Sequence, residues 1–233
     1  MEDTIVVVGG GLIGSATAWQ MAKTGQKVIL LEQQPEEYDK GSSRGESRIC
    51  RVFSRQHPVF GLVHTRTVAL VKELLTFLNA HDPATQHSLS HIYNSSPVTY
   101  AHIDIYQTEL KTLSKTGGLE YIYGSDMASI KELLGLDIGE EQPSVVFKET
   151  NSMTGTLNPK KLISYLHKGI KAKGGEVYYA HQVNSLELTA EGFDIIVNNK
   201  TIAASRLMLA AGPYTSSLLQ GIYPSISKVI NPR

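Results

Sequence analysis

Apolar residues recur along this chain with two different periods, and the switches between them lay out the elements. The run at residues 5–8 is unbroken, rich in β-branched side chains and too short for a helix, so it predicts a strand covered on both faces, as parallel strands are. Behind it Ala18 and Ala22 stand four apart, giving a helix a smooth face that can lie close on a sheet. Gly25 is placed as a left-handed helix stop, and residues 28–31 form a second apolar strand. The order strand, helix, strand predicts a parallel βαβ unit.

Residues 33–47 are polar and rich in Gly and Ser, which predicts a loop. Helical periodicity returns over 60–80, where Phe60, Val63, Thr67, Leu70, Val71, Leu74 and Leu78 share one stripe that predicts core. His81, Asp82 and Pro83 end that helix. From 86 to 147 the pattern changes to short strand-like runs, such as 98–106, with two short helices over 108–115 and 126–134, the second stopped by Gly135. This stretch reads as a separate layer or domain inserted into the first fold. Asn158-Pro159 then opens a helix whose Leu162, Ile163, Leu166 and Ile170 share a face, ended by Gly174-Gly175. Strands are predicted at 176–180, 183–188, 194–197, 201–203 and 207–210, with Asn198-Asn199 as a hairpin turn and a short helix at 215–219.

The first βαβ unit carries the chemistry. Gly9, Gly11 and Gly14 fit G-x-G-x-x-G, in which the glycines allow a tight turn, backbone approach to a pyrophosphate, and close helix–strand contact. Glu32, at the end of the second strand, is placed to accept hydrogen bonds from the hydroxyls of an adenosine ribose, and it disfavours a 2′-phosphate. The start of the helix beside Gly11 offers unpaired N–H groups and a positive dipole to phosphates. Further on, Arg44, Arg48, Arg51 and Arg55 have helical spacing, so a helix here would gather four guanidiniums on one face. A solvated basic stripe and an anion site both fit that spacing. The small residues at 211–213 would let backbone approach a ligand closely. His87, His91 and His102 lack metal-ligand spacing and read as ordinary surface or partly buried histidines, with no metal expected.

Composition narrows the function classes. Hydrophobic residues make up 41% of 233, enough for a sizeable core. Formal net charge is zero, so no general attraction to nucleic acid or to an anionic membrane is implied. The single cysteine, Cys50, excludes an internal disulfide framework and suits a reducing cytoplasm. No apolar run approaches the ~20 residues of a membrane span, and the acidic start is unlike a secretory signal.

Four stretches together resemble a known family: VVGGGLIGSATAWQMAKTGQKVILLEQ, GSSRGESRICR, TGTLNPKKL and LMLAAGPYTSSLL. They are similar, in order, to the amino-terminal portion of the D-amino-acid-oxidase-type flavoproteins, and most similar to the branch holding monomeric sarcosine oxidase, N-methyltryptophan oxidase and pipecolate oxidase. The resemblance covers most of residues 1–80 and 150–233, while 86–146 matches poorly. It implies an α/β fold: a dinucleotide-binding, Rossmann-like FAD domain with an inserted, here incomplete, α+β substrate domain. The FAD domain would comprise 1–82 and 151–222, the substrate domain 83–150, and 223–233 would begin its return.

The activity implied is oxidation of a secondary or N-methyl amino acid, with a hydride equivalent passing to flavin and O2 reoxidising it to give hydrogen peroxide. By position, Gly9, Gly10, Gly11, Leu12, Ile13 and Gly14 would hold the FAD pyrophosphate, and Glu32 with Gln33 the adenosine ribose. Ser42, Ser43 and Arg44 would lie along the cofactor, and Arg48 beside the flavin ring. Arg51 would meet the substrate carboxylate, a task suited to a planar, bidentate guanidinium. Val183 would line the adenine pocket, with Ala211 and Gly212 at the pyrophosphate.

Two departures change the expectation. Arg44 stands where close relatives commonly carry His. The chain also ends before the family's carboxyl-terminal portion, which supplies the rest of the substrate sheet, an oxygen-activating lysine, the cysteine that bonds FAD and a last flavin-contacting loop. Cys50 does not match that cysteine and reads as a small core residue. The chain alone is therefore expected to be inactive unless a second chain supplies the missing lobe. An NAD-dependent dehydrogenase and a non-catalytic nucleotide-binding subunit are the alternatives.

Overall fold

The computed structural model describes residues 3–37, 41–43, 45–54, 59–101, 105–135, 145–151, 154–227 and 229. Arg44, Arg55 and His102, and the chain beyond residue 229, lie outside them. The elements begin with β1 (Thr4–Val8), α1 (Leu12–Lys23), β2 (Lys27–Leu31), β3 (Arg48–Cys50) and α2 (Val59–His81). The middle of the chain forms β4 (Tyr93–Ser95), β5 (Val98–Ala101), α3 (Gln107–Gly117), β6 (Tyr121–Gly124), α4 (Met127–Leu134), β7 (Val146–Glu149) and β8 (Gly155–Leu157). Then follow α5 (Pro159–Ala172), β9 (Glu176–Tyr178), β10 (Val183–Thr189), β11 (Gly192–Val197), β12 (Lys200–Ala204), β13 (Arg206–Leu209), α6 (Thr215–Leu219) and α7 (Pro224–Ser227). They fall into two compact units, one of residues 1–46, 77–86 and 159–233, the other of 47–76 and 87–158.

The first unit is built on a parallel sheet in the order β13-β1-β2-β9. Every residue of β1 is buried, and alternation along the strand sends Ile5 and Val7 to the face opposite Val6 and Val8. Val6, Val8 and Leu31 share a core with Val183, Leu186, Ile195 and Val197 from the antiparallel meander β10-β11-β12. Helix α1 packs on β1, β2 and α5. Its small face works as expected: Ala18 and Ala22 are fully covered, and the helix stops with Gly25 at φ +82°. Leu162, Ile163, Leu166 and Ile170 of α5 are buried on the predicted stripe. Asn198 and Asn199 both take left-handed angles, φ +48° and +64°, between β11 and β12, as a tight hairpin turn requires.

The second unit holds two antiparallel sheets, β3-β8-β4 and β5-β7-β6. Its core gathers Val52, Phe53, Ile105, Leu110, Leu119 and Phe147, and the Tyr100 ring stacks on Phe147 at 4.6 Å between centroids. Helices α3 and α4 match the two predicted short helices, and Gly118 and Gly135 stop them in the left-handed region. Gly61 of α2 is required by close packing, since a Cβ there would lie 1.9 Å from the Gly117 carbonyl oxygen. His87 is buried and His91 exposed.

Two expectations are overturned. Residues 48–50 are not helical: they pair with β8, Arg48 opposite Leu157 and Cys50 opposite Gly155. The helical spacing therefore does not hold across Arg48, the long-range sheet partner outweighing a local periodicity carried by charged side chains, while Arg44 and Arg55 lie outside the described residues. In α2 the apolar stripe is core only from Val71 onward. Phe60 and Val63 are 48% and 53% exposed, although Val71, Leu74 and Leu78 are buried.

Candidate cofactor site

The glycine loop between β1 and α1 is shaped by what lies against each glycine. Gly9 has φ +106°, and a Cβ there would approach the Ala210 carbonyl oxygen to 2.4 Å. At Gly14 a Cβ would stand 1.9 Å from the Gly9 oxygen, so only hydrogen lets α1 begin this close to the strand end. Built at Gly10 or Gly11 it would meet Glu32 Oε2 at 2.9 Å or Ser43 Oγ at 3.1 Å. The loop is anchored where the Gly9 N–H donates to the Leu31 carbonyl, 2.8 Å.

Glu32 holds this loop as well as facing it. Its Oε2 accepts the Gly10 N–H at 2.8 Å and its Oε1 the Gln34 N–H at 2.9 Å. Each carboxylate oxygen has a second lone pair left for a ligand. Helix α1 starts at the N-cap Gly11 with no side-chain cap and no acidic residue in its first turn. Its first N–H groups and its dipole are therefore not answered by a cap or an acidic residue of the helix itself.

Above them opens a cavity of about 730 Å³. Gly9, Gly11, Glu32, Gln33, Ser42 and Ser43 line one part of it, and Val183, Ala211 and Gly212 another. Gly10 and Gly14 are buried beneath the loop, Leu12 is half-buried, and Ile13 is 77% exposed. His181 also lines the cavity and has no signal in the sequence. Its backbone N–H donates to the Glu32 carbonyl at 2.8 Å, and its Nδ1 donates to the Tyr179 carbonyl at 2.7 Å.

In the second unit, Arg48 is exposed on β3 and its Nη1 donates to the Ser47 carbonyl at 2.7 Å. Arg51, one residue past the strand, is exposed and hydrogen-bonds the Tyr100 phenol. Sequence reasoning missed the buried carboxyl group that holds the backbone just after Arg51. The carboxyl group of Glu149, 0% exposed, accepts the Val52 N–H at 2.6 Å, the Phe53 N–H at 3.2 Å, the Thr154 hydroxyl at 2.6 Å and the Tyr100 hydroxyl at 3.3 Å. Burial and the Glu149 charge push the Tyr100 phenol up to about 12, against the pull of Arg51. Burial likewise raises Tyr93 to about 12 and lifts the half-buried Cys50 thiol.

Among the described residues no group of three or more His, Cys, Asp and Glu could hold a metal ion, and no helix is long and apolar enough to cross a membrane. The family described as FAD dependent oxidoreductase matches residues 4–232. The chain belongs to that family. A probable sarcosine oxidase of Arabidopsis thaliana is 43% identical over 63 residues, 27% of this chain and 15% of that protein. One of the subunits of the opine oxidase of Agrobacterium tumefaciens is 22% identical over 218 residues, 91% of this chain and 56% of the relative. Among solved structures, NikD, described as an unusual amino acid oxidase essential for nikkomycin biosynthesis, superposes with a TM-score of 0.65 at 22% identity, over 94% of this chain and 54% of that one. The chain thus spans about half the length of the relatives that it matches along most of its own. The cofactor of the family is FAD, and the loop fits it: no side chain but hydrogen can occupy Gly9 and Gly14, and the backbone at Gly9 and Gly11 lines the cavity.

Proposed function

We propose that this chain is the FAD-binding portion of an amino-acid oxidase acting on a secondary or N-methyl amino acid, in the manner of the sarcosine oxidases. The observation that carries the reading is the juxtaposition of the Gly9–Gly14 loop, Glu32 and the Ala211-Gly212 turn around one cavity. The N–H groups at the start of α1 would meet the pyrophosphate, and Glu32 the adenosine ribose. Gln33, Ser42, Ser43 and Val183 would extend the contacts along the cofactor. FAD, when bound, supplies the electron acceptor for the C–N oxidation, and O2 would return it to the oxidised state as hydrogen peroxide forms.

Arg51 is suited to bind the substrate carboxylate. Its guanidinium is a planar fork of donors, and Glu149 clamps the backbone immediately after it. Arg48 is assigned to the flavin side of the reaction by resemblance alone. A second polypeptide carrying the remaining lobe would complete the enzyme, a reading supported by the likeness to a protein named as one part of a multi-chain oxidase. The test is titration of the purified chain with FAD. Uptake with a flavin spectrum is expected, and Glu32→Ala should weaken it at least tenfold, since losing a hydrogen bond to a charged group costs about 1.5–3 kcal/mol. Preferential uptake of NAD would favour a dehydrogenase, and unchanged affinity in Glu32→Ala would remove Glu32 from the site.

A further inference from the structure

Beneath the glycine loop runs a chain of hydrogen bonds that the cofactor contacts do not include. Ser15 Oγ lies 3.0 Å from the Gly10 carbonyl oxygen and 2.8 Å from His167 Nε2, and His167 Nδ1 lies 2.6 Å from the Tyr179 hydroxyl. Ser15 and His167 are buried, at 0% and 3% exposure. They come from different elements, Ser15 from the first turns of α1 and His167 from α5, and Tyr179 follows the end of β9.

The direction of each bond follows from chemistry. A carbonyl oxygen can only accept, so the one Ser15 hydroxyl proton goes to Gly10. Ser15 Oγ must then accept from His167, which puts the ring proton on Nε2. In the neutral ring Nδ1 is left as an acceptor, and the Tyr179 hydroxyl donates to it. The resulting order is Tyr179 to His167 to Ser15 to the Gly10 carbonyl.

Gly10 is thereby held at both ends, its N–H by Glu32 Oε2 and its carbonyl by Ser15. The carbonyl of one residue and the N–H of the next point in opposite directions across a trans peptide. Pinning the Gly10 carbonyl down onto buried Ser15 turns the Gly11 N–H the other way, toward the cavity that Gly11 lines.

We propose that Ser15, His167 and Tyr179 form a positioning relay that aims the Gly11 N–H at the cofactor phosphate, making His167 a positioning residue for FAD binding. This rests on the cofactor reading above, so the test has a part that needs no cofactor. The expected 15N spectrum of His167 in the purified chain shows a protonated Nε2 and an unprotonated Nδ1. Ser15→Ala should shift the Gly11 amide resonance and change its hydrogen exchange while circular dichroism stays that of the parent chain. With FAD, Ser15→Ala and His167→Leu should each weaken binding about tenfold, the scale of one hydrogen bond. His167→Gln, whose amide nitrogen can reproduce the donor at Nε2, should recover affinity to within about threefold of the parent.

Folded Ser15→Ala and His167→Leu chains with parental FAD affinity overturn the relay. So does a His167 ring protonated at Nδ1 and bare at Nε2. A parent chain that takes up no FAD overturns the cofactor reading instead. The Gly11 amide then tests the loop geometry by itself: a resonance unmoved in both Ser15→Ala and His167→Leu refutes the relay, and one shifted in His167→Leu, which has no backbone contact with Gly11, supports its positioning part.

Discussion

At the scale of single residues, this protein uses hydrogen where other chains would place a methyl group, and it uses carboxyl groups, one buried and one half-buried, to organise backbone. Gly9 and Gly14 are fixed by contacts of 2.4 and 1.9 Å that any Cβ would make with backbone oxygen, which cannot step aside as a side chain can. Glu32 and Glu149 both accept main-chain N–H groups, one in the glycine loop and one behind Arg51. The two buried phenols give a test of the second cluster. Tyr93 and Tyr100 are raised from 10.0 to about 12, so the folded chain keeps both protons while the unfolded chain releases them. Raised folded-state values mean that their stabilisation is intact below pH 10 and is lost as pH climbs through about 12. Urea unfolding midpoints should fall across that window, and less steeply in Tyr100→Phe, with ultraviolet titration showing Tyr93 and Tyr100 among the late-ionising tyrosines. Normal ionisation of both near pH 10 would contradict the burial of these hydroxyls.

At the scale of elements, helix α2 separates pattern from packing. Leu74, buried, should cost about 2–5 kcal/mol when cut to Ala, because a cavity is left. Val63, on the same stripe but 53% exposed, should change stability by no more than about 0.5 kcal/mol in Val63→Ala. Equal losses in chemical denaturation would show that the stripe is core throughout. The β11–β12 hairpin offers a second test. Asn199 holds φ +64°, a region in which a β-branched side chain is strained, so Asn199→Val should lower stability by about 1–2 kcal/mol. A thermal scan that shows no loss would mean that the turn has relaxed into another type.

At the scale of the molecule, the FAD cradle lies within one unit and the Arg51 cluster within the other. The chain spans about half the length of these relatives, and oxidation of a substrate needs an enclosure that excludes water and fixes it against the flavin. The FAD-supplemented chain is expected to give no peroxide from sarcosine, N-methyltryptophan, pipecolate or proline in a coupled assay. Turnover with any of them would show that residues 1–233 suffice for catalysis. Co-purification of a second polypeptide that restores turnover would support the two-chain reading.

The sequence by itself determined those parts whose physics is local. Residues 5–8 had to be a doubly buried strand because every side chain is apolar. Gly9, Gly11 and Gly14 carried the loop, Gly25 and Gly135 the helix stops, and Asn198-Asn199 the turn, because backbone angles are a property of neighbouring residues. Glu32 was marked by its place at the end of the second strand, and Val183 and Ala211 only by family likeness; the three line one cavity. Only the tertiary structure decided the rest. Residues 48–50 became a strand because β8, more than a hundred residues away in sequence, offered a hydrogen-bonding edge. Glu149 reaches back to Val52 and Phe53, and His167 to Ser15, across comparable separations. No period or motif marks such pairs, since burial of a lone polar side chain becomes affordable only when its distant partners arrive with it.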